Sequence, residues 1–169
     1  NYAEYAGAAL AWINATRISI DDYHFYDNHV GYSGGAIYVG KGSKECKVLN
    51  CVFGNNWVDD EANGHGGAIE WYSEKGTVYN SVFTNNHANN GGAIYVAEGK
   101  LDIEGKTEVA VMITDNTAIS SGGSSGCGGA IYFATNTSDF SIVNAQILSI
   151  TLNNLFVITS LVESKSRVN

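Results

Sequence analysis

Two short blocks that keep recurring along the chain narrow its fold more than any other feature. Gly34-Gly35-Ala36-Ile37 returns at Gly66-Gly67-Ala68-Ile69, Gly91-Gly92-Ala93-Ile94 and Gly128-Gly129-Ala130-Ile131, after a degenerate copy at Gly7-Ala8-Ala9-Leu10. Successive starts lie 27, 32, 25 and 37 residues apart. Between them sits a second block: Phe25-x-x-Asn28, Phe53-x-x-Asn56, Phe83-x-x-Asn86 and the variant Ile113-x-x-Asn116. The blocks keep their internal spacing while the joining segments change length. Stacked strands must match from one repeat to the next, whereas projecting loops are free to grow.

Each block is strand-sized and too short for a helix. The chain lacks the L-x-x-L-x-L pattern of a leucine-rich repeat, and a unit as short as 25 residues cannot hold a four-stranded propeller blade. The expectation is an all-β protein, a parallel β-helix of about five coils with two or three short strands per coil. Repeats occupy residues 1–147, with coils starting near 7, 34, 66, 91 and 128, and residues 148–169 form a terminal coil or cap.

The two-residue strand period assigns the faces. Ile37, Ile69, Ile94 and Ile131 share a side with Val39, Trp71, Val96 and Phe133, so this side is the interior. The residues between them, Tyr38, Glu70, Tyr95 and Tyr132, are expected to face water. In the second block Phe25, Phe53, Phe83, Ile113 and Ile147 point inward, each contributing roughly 1.5–3 kcal/mol when buried. Asn28, Asn56, Asn86 and Asn116 should form a structural ladder of amides bonded from coil to coil, at positions where Asn also tolerates left-handed backbone. The glycine pairs mark turns that need left-handed dihedrals or close backbone approach.

The alternation of G-G-A-[ILV] with F-x-x-N resembles the repeat of chlamydial polymorphic outer membrane proteins, and also the adhesin-like surface proteins of methanogenic archaea. The likeness covers residues 7 to about 147. It implies a right-handed, single-stranded parallel β-helix displayed outside the cell and a role in attachment. It carries no catalytic residues. Two departures stand out: no membrane-anchoring barrel follows the repeats, and the fifth coil has Ile150 where the ladder Asn is due.

Composition narrows the function. A net charge of −8 disfavours nucleic acid and anionic membrane as partners. No apolar run reaches the length of a membrane span, and Asn1 already stands in repeat-like sequence, which reads as a piece of a longer product. Cys46, Cys51 and Cys127 form no C-x-x-C pair and read as free thiols, with a Cys46–Cys51 bridge as the alternative. No cofactor or metal is implied.

Two candidate contact sites emerge. The outward stripe Tyr38, Glu70, Tyr95 and Tyr132, with coils about 4.8 Å apart, suits sugar rings stacking on aromatic faces beside a carboxylate. The segment Trp57 to His65, with Asp59, Asp60 and Glu61, reads as an acidic loop placed to touch a partner; its adjacent acids lack the alternating spacing of a calcium loop. The four histidines fall at different repeat positions and make no metal pair. The expected function is a non-catalytic, extracellular adhesin-like module binding a surface glycan or protein. The alternatives are a β-helical polysaccharide lyase or hydrolase, and a passive stalk whose open ends join copies end to end. Against the enzyme, the outward acids Glu70, Asp27 and Asp115 are scattered, and arginine occurs only at Arg17 and Arg167.

Overall fold

The repeated blocks lie directly over one another as parallel strands in a computed structural model of the chain. The structure describes residues 1–60, 63–106, 110–119, 126–148 and 151–152, with backbone alone at 135–139 and 151–152. Like strands stack into four rows. The first row holds Leu10–Trp12, Ile37–Val39, Ile69–Trp71 and the leading parts of Ile94–Glu104 and Ile131–Val143. The second holds Ser19–Asp21, Cys46–Leu49, Gly76–Tyr79 and the trailing parts of the same two long strands, which merge both rows into one sheet. The third is a five-stranded sheet of His24–Tyr26, Val52–Gly54, Val82–Thr84, Val111–Thr114 and Ala145–Leu148. The fourth stacks Tyr2–Ala3, His29–Val30, Trp57–Val58, His87–Ala88, Thr117–Ala118 and Thr151–Leu152. From Leu10 to Ile131 the chain winds four full turns, and the strands after Ile131 run on into the next. Among the described residues there is no helix.

A coil therefore has four strands rather than two or three. The correction has a local cause. Asn50, Asn80 and Asn144 adopt left-handed φ values of 50°, 48° and 51°, which turn the chain between the second and third rows. The ungapped segment Val48 to Phe53 is thus two strands with a corner between them. The ladder asparagines themselves are not left-handed, contrary to expectation. Their predecessors Asp27, Asn55, Asn85 and Asp115 are, with φ between 53° and 57°. These short polar side chains tolerate that region and make the corner into the fourth row.

The interior is one continuous column of apolar side chains. Ile37, Val39, Ile69, Trp71, Ile94 and Val96 are fully buried, as the strand period requires. Phe25, Phe53 and Phe83 stack with centroids 4.9 and 4.7 Å apart and near-parallel rings. Val30, Val58, Ala88 and Ala118 are buried behind the fourth row. Cys46 and Cys51 are free and buried, and burial raises the pKa of each thiol, which makes both poor nucleophiles.

The two glycines of each pair do different work. The first, at Gly34, Gly66, Gly91 and Gly128, holds φ near +63°, where a β-carbon is penalised. The second has a neighbour instead. A β-carbon on Gly67 would sit 2.1 Å from the Gly92 carbonyl oxygen, and one on Gly35 would sit 1.9 Å from that of Gly67.

The asparagine ladder is continuous. The backbone N–H and Nδ2 of Asn28 both donate to Oδ1 of Asn56, at 3.1 and 2.8 Å. Asn56 donates in the same way to Asn86, and Asn86 to Asn116. The remaining amide hydrogen goes to the phenylalanine carbonyl of the coil before, as from Asn86 to Phe53 at 3.1 Å. Asn1 supplies an unexpected first rung, donating to Asn28 Oδ1 at 2.8 Å. All four predicted ladder asparagines are buried.

Pairing runs past residue 147, since Thr151–Leu152 lies on Thr117–Ala118. Ile150 and residues 153–169, and with them most of the expected cap, lie outside the described residues. In urea unfolding, Asn86→Ala is expected to lose about 3 kcal/mol or more, because it strands buried donors and acceptors on both neighbouring coils. Asn85→Gly, at a left-handed corner that glycine accepts, should stay within about 1 kcal/mol of the parent chain.

Candidate functional site

The outward stripe of the first row forms in the predicted order, with Tyr38 beside Glu70, Glu70 beside Tyr95 and Tyr95 beside Tyr132. Its chemistry differs from the expectation in two ways. Glu70 does not face water; it is 2% exposed. The strand period sends it away from the apolar core correctly, but side chains from the same coil and its neighbours fold over it. The Tyr72 hydroxyl donates to Glu70 Oε1 at 3.3 Å, and His65 Nδ1 lies 3.2 Å from the same oxygen. A buried carboxylate needs such partners, since an unpaired one would be costly.

The second difference concerns the rings. His65 stacks on Tyr95 at 4.0 Å with 5° between planes, and Tyr95 stacks on Tyr132 at 5.3 Å. Tyr95 is sandwiched along the solenoid axis, so its faces meet other rings and its edge and hydroxyl point outward. Tyr38 meets Tyr72 at 5.9 Å in a tilted arrangement. Lys41 passes over the Tyr72 ring, 5.5 Å from its centroid, and reaches Glu98 two coils on at 2.7 Å. The stripe is a packed, hydroxyl-edged surface with its acid beneath.

This packing raises the pKa of the phenols. Burial is the chief cause at Tyr38, Tyr72 and Tyr95. Glu70 adds to all three, and at Tyr72 burial, with the Glu70 charge next, holds the hydroxyl well above the ordinary tyrosine range. His65 and Tyr72 were not anticipated as parts of this cluster. Tyr72 could have been, because it lies two residues from Glu70 and so on the same side of the strand.

The acidic segment also divides. Trp57 and Val58 are a fourth-row strand, not loop. Trp57 stacks on His29 at 4.4 Å, and Tyr2 meets His29 edge-on at 5.2 Å. Asp59 pairs with His29 Nε2. Asp60 Oδ1 accepts from the Asn63 backbone N–H at 2.9 Å, which shapes the turn. Glu61 lies outside the described residues. The structure therefore brings Trp57, Asp59 and Asp60 together with His29, on a row separate from the tyrosine stripe. Among the described residues, no three His, Cys, Asp or Glu side chains converge on a metal position.

The comparisons with known proteins agree with this architecture. The Chlamydia polymorphic membrane protein repeat matches residues 22–40 and 80–97, each taking in ladder and glycine blocks of successive coils. The "Probable autotransporter YfaL" of Escherichia coli (strain K12) is 35% identical over 150 residues, taking in 80% of this chain. The chain spans about 11% of that relative's length. No solved structure matches. Two stretches of the chain thus match a polymorphic membrane protein repeat, most of it is similar to part of a probable autotransporter, and the whole described repeat region is wound as a parallel β-helix.

The raised phenol pKa values give a signed prediction. A group that holds its proton more tightly when folded contributes stability below its unfolded pKa of 10.0 and loses it as pH rises beyond that point. Stability should therefore fall above about pH 10, and Tyr72→Phe should flatten that alkaline limb. Urea midpoints at pH 8 and above 10, for parent and variant, make the check. An unchanged alkaline slope in Tyr72→Phe would show that this hydroxyl is not the sensitive one.

Proposed function

We propose that this chain is a surface-exposed, non-catalytic stretch of an autotransporter-type passenger whose task is attachment, with its long sides binding a glycan or protein of another surface. The observation that carries the reading is the repeat itself: family-matched coils stacked without interruption, with the polar side chains spent on holding coils together. Several acids on the first two rows are occupied. Glu45 pairs with Arg17, Glu74 with Lys44, Glu98 with Lys41, and Glu70 is enclosed by His65 and Tyr72. A hydrolase would need two carboxylates facing one sugar bond, and a lyase a base beside a cation. This supports attachment over catalysis. Tyr38, Tyr95 and Tyr132 remain the proposed glycan contact, reached through hydroxyl edges rather than ring faces. A stalk that only spaces other domains is the second reading, favoured by the regularity of the stack.

Three measurements separate these readings. Brief protease treatment of intact producing cells should release the chain if it is displayed. The purified chain should be retained on cells or glycan surfaces, with retention reduced several-fold in Tyr95→Ala plus Tyr132→Ala. Incubation with acidic polysaccharides should produce no new reducing ends. Polysaccharide cleavage would overturn the non-catalytic reading, and absence of any retention would leave the stalk.

A further inference from the structure

The solenoid is asymmetric in charge, and this bears on a different face from the tyrosine stripe. Stretches 22–36, 50–68, 80–93 and 111–119 make the third and fourth rows and their flanks, and they contain no Lys or Arg. Among the described residues the lysines and arginines belong to the first two rows and their corners, where Arg17, Lys41, Lys44 and Lys100 each pair with a carboxylate. The side without Lys or Arg is not featureless.

Along the fourth row the outward positions Tyr2, His29, Trp57 and His87 are in register from coil to coil. Tyr2, His29 and Trp57 touch ring to ring. A shorter column beside it stacks Tyr5 on Tyr32 at 5.9 Å, with Tyr32 53% exposed. Carboxylates edge this aromatic strip on both sides. Asp27 and Asp115 stand at the corner before the row, and Asp59 and Asp60 just after it. Carboxylates attract guanidinium and ammonium groups through charge-assisted hydrogen bonds, and a ring face that the column leaves uncovered adds the attraction of its quadrupole. Two independent features, the ring column and the exclusion of Lys and Arg from this side, point to the same ligand chemistry.

We infer that the fourth-row face, centred on Trp57 and flanked by Asp59 and Asp60, docks a cationic polypeptide segment rich in Arg or Lys. This deepens the attachment reading for one side of the solenoid. It is tested on the purified chain, so it can fail while retention on cells succeeds, and the converse holds too.

The test is a titration of the full 169-residue chain with fluorescent nona-arginine, with nona-glutamate as the control, at several salt concentrations. Nona-arginine should bind and nona-glutamate should not. Trp57→Ala should weaken binding about three- to ten-fold, the size of one aromatic–cation contact. Asp59→Asn plus Asp60→Asn, in which the Asn63 turn keeps an acceptor, should weaken it several-fold and flatten its salt dependence. The charge-matched control is Asp21→Asn plus Glu104→Gln on the second row, expected to stay within about two-fold of the parent. Equal losses in the two double variants would mean general attraction to a negative protein and would overturn the assignment. So would absence of nona-arginine binding.

Discussion

The nearness of one coil's backbone to the next governs this structure. At the pairs 34–35, 66–67 and 91–92 the second glycine lies so close to the following coil's carbonyl that a single added carbon would collide with it. That approach fixes the vertical spacing and the register together. Once they are set, the phenylalanines fall into a stack, the isoleucines into an apolar column, and the asparagine amides into bonding distance. Burial drives association of the coils, but it is tolerant of small slips. The glycine contact and the amide ladder are not, because each needs one particular carbonyl or amide at one distance.

Much of this was legible in the sequence because the features that repeat are those that stack. Ile37, Ile69 and Ile94, or Phe25, Phe53 and Phe83, recur at matching positions, and a two-residue period suffices to send them inward. The fourth row was harder to see. His29–Val30 and Trp57–Val58 are only two residues long, too brief for any alternation to declare itself, and Trp57 thus read as loop. Asn1 was missed as a rung because the position three residues earlier, which marks the other blocks, is not in the sequence. Glu70 failed for a different reason. Alternation reports which side of a sheet a residue leaves from, and says nothing of what later folds over it. His65 arrives from the preceding turn, so the enclosure of Glu70 depends on the path of a neighbouring segment.

The joining segments of unequal length lie between strands that match from coil to coil. The longest difference between adjacent coils near the middle of the chain, the stretch around Asp59 to His65, leaves the stacking of Trp57 on His29 and of Ile69 on Ile37 intact. Contact chemistry can therefore change on one row without disturbing the others. In this chain the tyrosine edges and the Trp57 row occupy separate rows with different charge, so the proposed attachment role has two surfaces to draw on rather than one.

The ladder also gives the solenoid a direction. Each rung's oxygen accepts from the coil before it, and its nitrogen makes the ladder bond to the coil after. A further coil bonded through the same ladder must therefore meet its neighbour head to tail, amide nitrogen onto amide oxygen. A head-to-head meeting would set oxygen against oxygen at the facing rung, so the amides act as an arrow that any lengthening of the rod through the ladder must obey.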